Sequence, residues 1–230
     1  SGANKYIHVP SIGSRDKPAS AIDDNTVLTF RSYSDAGYTT EVGDGYPIVV
    51  TYHWIDSDDM TLLDEDDFDD GTLQDWVKSA DYASFAIDTA YVLDPLYSAK
   101  GSKGVGDDSA SGTAYIKKTF DVPAATRAFL IANVKFGVRN SDFRDHAQIR
   151  ELRISKAGTI ITRTGTSPYL LSVSDPTGTF YTNWLRMIAP IDVNESAEYR
   201  IEVVYSIYSR GSGDPAFMYV WHDKLKVVYE

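Results

Sequence analysis

Four histidines, no cysteine and 33 carboxylates set the chemistry open to this chain. Without thiols there is no disulfide, no thiolate metal centre and no cysteine nucleophile. His8, His53, His146 and His222 are far apart in sequence, and His53 and His222 fall inside β-rich runs, where an imidazole more often packs than catalyses. The spacings G-x-S-x-G, H-E-x-x-H and G-x-x-x-x-G-K-[ST] do not occur. Cleaving a glycosidic bond takes two carboxylates roughly 5–10 Å apart, and no pair among these acids stands out. The residue types point to a protein that binds something without transforming it.

Aromatic rings are the other resource. The chain has 16 tyrosines and 13% aromatic residues. A sugar packs its CH face on a flat ring while polar side chains read its hydroxyls. The rings outside the expected core positions are Tyr91, Tyr97, Tyr181, Trp184 and Tyr208, with Arg139, Asn140 and Arg144 as hydrogen-bonding company. Most tyrosines in so tyrosine-rich a chain serve in the core or on an indifferent surface, so these six, Arg139 included, are candidates for ligand contact only. Trp76 and Trp221 fall at core positions.

The net charge is −11, and it is unevenly spread. Between Ser32 and Val77 there is no Lys or Arg, and 13 acids: Asp35, Glu41, Asp44, Asp56, Asp58, Asp59, Asp64, Glu65, Asp66, Asp67, Asp69, Asp70 and Asp75. The remaining 20 acids face 22 bases. Nucleic acid is not an expected partner, because its binders concentrate positive charge. An acidic belt attracts cations or basic partners, or is simply a solvated surface. It is not an EF-hand: counted from Asp66, an oxygen ligand falls on Phe68 and the closing glutamate on Val77. The triplet Asn194-Glu195-Ser196 is a glycosylation sequon of a kind that is common by chance. No run of about 18 apolar residues is present to span a membrane as a helix.

The elements that must position these residues are strands. Residues 1–24 read as an extended arm, with Pro10, Gly13 and Pro18. Strands follow at Thr26–Tyr33 and Ile48–Ile55; the second is apolar on both faces, which suits burial on two sides or an interface. An acidic linker runs from Asp56 to Asp70, and Trp76–Phe85 holds one short helical turn. Further strands are expected at 114–120, 127–138, 148–155 (with a bulge at Glu151), 158–164 and 199–206. In the last strand Phe217, Tyr219, Trp221, Leu225, Val227 and Tyr229 share one parity, and Met218, His222, Lys224 and Lys226 the other. Asp223 interrupts the first set, and a carboxylate buried there must be hydrogen-bonded or bound to a metal.

Four segments carry a resemblance. Phe68-Asp69-Asp70-Gly71-Thr72-Leu73-Gln74-Asp75-Trp76, Tyr97-Ser98-Ala99-Lys100-Gly101, Lys118-Thr119-Phe120-Asp121-Val122-Pro123 and Tyr219 to Val227 resemble, in order and spacing, the galactose-binding-like jelly roll that houses many carbohydrate-binding modules. The match covers about 70% of the chain. It implies an all-β jelly-roll β-sandwich over residues 63–230, with residues 1–62 as an N-terminal β extension. It also implies a structural Ca²⁺ held by Asp69 and Asp223, with carbonyls near Asp94 to Gly101 completing its shell of roughly six to eight oxygens.

The function expected is a non-catalytic, calcium-stabilised module that binds a glycan or polysaccharide. The alternative is a structural or assembly protein of a virion, tail fibre or cell surface, in which the β arm makes homo-oligomer or larger-assembly contacts. Both place the chain outside the cell, or on a cell or virion surface.

Overall fold

In a computed structural model the chain forms two compact units, Ser1–Thr61 and Leu62–Glu230. The structure describes residues 60–93, 96–106, 108–140, 145–164, 170–174, 177–209 and 216–230, and the backbone of three strands before residue 60. Those three are β1 (Tyr6–His8), β2 (Ile22–Tyr33) and β3 (Ile48–Ile55), an antiparallel sheet in the order β1-β2-β3.

The second unit is an antiparallel β-sandwich of the jelly-roll class. Its strands are β4 (Thr61–Asp66), β5 (Val77–Lys78), β6 (Ser84–Asp88), β7 (Ser98–Val105), β8 (Ser109–Val122), β9 (Ala128–Asn140), β10 (His146–Lys156), β11 (Thr159–Arg163), β12 (Leu171–Ser174), β13 (Gly178–Tyr181), β14 (Leu185–Ile191), β15 (Glu195–Tyr208) and β16 (Ala216–Tyr229). One sheet has six strands, β11-β10-β15-β8-β5 with β12 beside β10. The other has seven, β13-β9-β16-β7-β6, with β14 beside β9 and β4 beside β16. Alternation sends Ile116, Ile149, Leu152, Ile154, Tyr199, Ile201 and Val203 inward from the first sheet, and Leu130, Val134, Phe136, Met218 and Val220 from the second, into one shared core.

Two bulges set which side chains reach that core. In β10 one extra residue lies between Ile149 and Glu151, near the position expected from the broken alternation, and it lets Ile149 and Leu152 both face inward. In β16 the register on β9 shifts between Asp223 and Lys226. Lys224 takes a left-handed conformation there (φ 45°), and its carbonyl accepts the Asn133 Nδ2–H at 3.0 Å.

This second bulge corrects the single parity expected along the last strand. Before it Ala216, Met218 and Val220 are in the core, and after it Leu225 and Val227 are. Phe217, Tyr219 and Trp221 therefore lie on the outer face of the seven-stranded sheet. Trp221 is buried, though not in the sandwich core as expected; it lies under Tyr91 and Tyr181.

Two local expectations also change. Among the described residues there is no helix, and 76–85 instead contains β5 and the start of β6. The acidic stretch is partly a strand: β4 pairs with β16, and its acids find cations, Asp64 and Asp66 on Lys118 at 2.7 and 2.8 Å and Glu65 on Lys226 at 2.9 Å. Trp76 is a core residue as expected, donating its Nε1–H to buried Asp66 at 2.8 Å and meeting Phe120 edge-on.

Candidate functional site

Residues directly opposite each other in antiparallel strands share a face, so the pairings of β16 lay out the outer surface of the seven-stranded sheet row by row. Arg139, Phe217 and Gly104 form one row. Tyr181, Gly137, Tyr219, Ser102 and Ser84 form the next. Lys135, Trp221, Lys100 and Ala86 form the third, and Asn133 and Asp223 begin the fourth.

Two glycines let large rings lie on this surface. A Cβ on Gly104 would collide with the Phe217 ring. One on Gly137 would stand 2.8 Å from Tyr181 Cδ1 and 3.0 Å from Trp221 Cζ3. The half-buried rings of Phe217 and Tyr219 are nearly parallel, 9° apart with centroids at 5.8 Å. Tyr219 leads to Trp221 (5.8 Å, 41°), and Tyr91 closes on both Trp221 (4.8 Å) and Tyr181 (4.7 Å). Burial, followed by its hydrogen bond with Tyr91, pushes the Tyr181 phenol up to about 12, so it stays a neutral hydroxyl.

Polar groups border the rings. Lys100 Nζ lies 4.9 Å from the Tyr219 centroid and 5.1 Å from that of Trp221. Lys135 Nζ lies 5.0 Å from the Tyr91 centroid and donates to the Thr182 carbonyl at 2.5 Å. The Ser84 and Ser102 hydroxyls are 2.6 Å apart beside Tyr219, and Arg139 is exposed beside Phe217. Asp88 at the end of β6 accepts the Trp221 indole N–H at 2.5 Å and sits 3.6 Å from Lys100. Desolvation raises its carboxyl, but the Trp221 and Ala90 hydrogen bonds and the Lys100 charge outweigh that and hold it below the ordinary carboxylate value.

The loop from Asp88 to Ser98 places Tyr91 over this surface. The Tyr91 carbonyl accepts the buried Ser98 hydroxyl at 2.7 Å. Asp223, fully buried, accepts the Leu93 N–H at 2.6 Å, and Asp69 accepts the Tyr97 N–H at 3.2 Å. The two carboxylates thus converge on one short segment. No group of three His, Cys, Asp or Glu side chains that could hold a metal occurs among the described residues. Any calcium drawn by Asp69 and Asp223 would have to complete its shell with carbonyl oxygens; Asp94, at the start of the expected carbonyl stretch, lies outside the described residues.

Of the candidate ring and arginine positions, the structure gathers Tyr91, Tyr181 and Arg139 on this face. It does not gather the others. Tyr97 packs its ring against the sandwich core, and Trp184 is half-buried between β13 and β14. Tyr208 is on the outer face of the opposite sheet, stacked on His146 at 5.3 Å. Asn140 is buried and donates to the Val173 carbonyl at 2.9 Å, a structural use, while Arg144 lies outside the described residues. Phe217, Tyr219, Trp221, Lys100 and Lys135 were not expected here. The signal was the Asp223-Lys224 break in an otherwise apolar alternation, which marks the bulge.

No protein-family model matches the chain, and no curated protein matches it. Solved structures do. The CBM22-1 xylan-binding domain of Paenibacillus barcinonensis Xyn10C is similar at 10% identity and TM-score 0.39, over 74% of this chain and 95% of that one. The module TmCBM61, solved in complex with beta-1,4-galactotriose, is similar at 15% identity and TM-score 0.35, over 71% and 94%. The K1 cleaved adhesin domain of Lys-gingipain from Porphyromonas gingivalis W83 is similar at 11% identity and TM-score 0.39, over 72% and 97%.

Proposed function

We propose that the second unit is a non-catalytic glycan-binding module whose ligand lies across the outer face of the seven-stranded sheet. The observation that carries this reading is the nearly parallel Phe217–Tyr219 pair, accommodated by Gly104 and bordered by Arg139, Lys100, Ser102 and Ser84. Two parallel rings suit the CH faces of consecutive sugars, and the bordering donors suit their hydroxyls. Asp88 and Asp223 act as acceptors that position Trp221 and the Leu93 segment. A calcium ion held by Asp69 and Asp223 together with loop carbonyls belongs to the same proposal, and an extracellular or surface setting fits it. When bound, the ion would supply a rigid cross-link between the loop and β16.

The test is retention on immobilised polysaccharides in affinity gels. Tyr219→Ala and Phe217→Ala should each abolish the retardation while the melting temperature stays within a few degrees. Retardation by both variants equal to that of the parent chain sinks the placement. Calcium is tested separately: a melting temperature that rises in millimolar Ca²⁺ and returns in EDTA supports the ion, by preferential binding to the folded state. An unchanged melting temperature removes it.

A second reading concerns the first unit. Within its described sheet β3 is an edge strand, and the sequence Ile48–Ile55 is apolar at both parities. An edge of that kind pairs readily with another chain. Under this reading the first unit mediates self-association or assembly, and deleting residues 1–59 converts an oligomer to a monomer in light scattering. A parent chain that is already monomeric excludes it.

A further inference from the structure

We infer that the glycan is acidic, a polymer of hexuronates, and that Lys100 and Arg139 read its carboxylates. The inference rests on the glycan-binding reading above and names the substrate class of that same face.

The charge distribution carries it. The whole chain bears −11, yet the side chains bordering the open rings are Arg139, Lys100 and Lys135. Among the described residues Asp88 is turned to the Trp221 indole and Lys100, at the loop end of the surface. Asp223 is buried beneath the Leu93 segment. Among the described residues, the Phe217–Tyr219 end therefore offers cations beside aromatic rings with no carboxylate in the same two rows. A positive patch on an acidic protein draws anionic ligands selectively, since the rest of the surface repels them.

Geometry narrows the class. A hexuronate bears its carboxylate directly on a ring carbon. When such a ring packs on Tyr219, its carboxylate is held at the ring edge, one bond away. Lys100 Nζ lies over the Tyr219 ring, 4.9 Å from its centroid, within reach of a carboxylate on a sugar beside that ring, and Arg139 is the cross-strand neighbour of Phe217. A sulfate ester stands further out on a flexible linkage and gains less from cations placed so near the rings. Arg139 is exposed and can present its planar fork to a carboxylate.

The experiment compares polygalacturonate, alginate and hyaluronan, each beside its carboxyl-reduced neutral counterpart, with xylan, galactan and dextran sulfate as further arms. Binding is measured by calorimetry for the full chain and for Lys100→Met and Arg139→Gln. The expected result is that at least one uronate polymer binds about fivefold or more tightly than its reduced partner, which two exposed charge contacts account for. That ratio should shrink as salt rises from 50 to about 500 mM, and each variant should lower the ratio itself, weakening the acid polymer by more than its reduced partner. Equal affinity for acid and reduced forms, or preference for dextran sulfate or a neutral polymer, overturns the inference and leaves the glycan platform standing. Failure to bind any arm overturns both.

Discussion

The indole N–H of Trp221 donates to Asp88 Oδ2 at 2.5 Å, which ties the centre of β16 to the end of edge strand β6, two strands away. The bond fixes the ring against which Tyr91 and Tyr181 pack. Replacing Asp88 by Ala removes the acceptor from a buried indole, and an unsatisfied buried donor costs about 1–3 kcal/mol. Asp88→Ala should lower the unfolding free energy by that order and red-shift tryptophan emission, while Asp88→Asn, which still offers an oxygen, should recover most of both. The folded carboxyl sits below its ordinary value of 3.8. Its contribution is therefore present above that value and is lost as pH falls through the folded one. Denaturant titrations from pH 5 to pH 2.5 should show the gap between the parent chain and Asp88→Ala narrowing towards that between Asp88→Asn and Asp88→Ala.

Gly137 supplies a test of the ring geometry that leaves every binding side chain in place. In Gly137→Ala the new methyl meets Tyr181 and Trp221 at 2.8 and 3.0 Å, so the rings must move. The strand itself tolerates alanine. Glycan retention should fall about tenfold, equivalent to the loss of one good ring contact, with the far-ultraviolet spectrum unchanged. Full retention would mean that the ligand does not use the Tyr181–Trp221 end.

His222 faces the core from β16, meeting the Phe85 ring edge-on at 6.3 Å. Burial drives its imidazole down to about 3 from 6.5. The unfolded chain takes up a proton near pH 6.5 and the folded chain does not, so stability is full above that pH and declines as pH falls towards the folded value. Between pH 7 and pH 4.5 the loss is on the order of 2 kcal/mol. Urea unfolding of His222→Leu should show a correspondingly smaller decline over that interval; identical slopes for the two chains would refute the assignment.

Lys118 is the cation of a small, partly buried cluster, with half-buried Asp64 and buried Asp66 as its carboxylates and the Trp76 indole on Asp66. Burial raises the Asp66 carboxyl even with Lys118 present. Removing the lysine strands that charge, and breaking such a pair costs about 3–5 kcal/mol. Lys118→Met should be the most destabilising of these changes in guanidinium titrations. Asp66→Asn in the same background should restore part of the loss; the absence of any restoration would show that the cost lies in packing alone.

Much of the sandwich was legible in the sequence because strands announce themselves by alternation and turn residues. The stretches around 114–120, 127–138, 148–155 and 199–206 are all strands, three of them longer at both ends than the apolar pattern suggested and β9 longer at its C-terminal end. Even the β10 bulge left a trace in the misplaced Glu151. The face of β16 was not legible. Its aromatic and aliphatic halves have the same spacing, and only the bulge at Asp223–Lys226 tells that they look in opposite directions. The ring surface depends on residues from β7, β9, β13, β16 and the 88–98 loop, whose meeting is a matter of sheet order. Nothing in the local sequence of Lys100 or Gly137 announces their neighbours. Acidic β4 read as linker because its charges are matched by Lys118 and Lys226, more than fifty residues away.

The β16 bulge divides one strand into two territories under different selection. Leu225 and Val227 answer to the core, where volume is tightly constrained. Phe217, Tyr219 and Trp221 answer to the outer surface. The positions between them, Met218 and Val220, stay in the core when the half-buried Phe217 and Tyr219 are changed. A combinatorial library over positions 217 and 219, with their cross-strand neighbours 102 and 139, would therefore vary recognition on a scaffold whose interior is left untouched, and the bulge is the hinge of that independence.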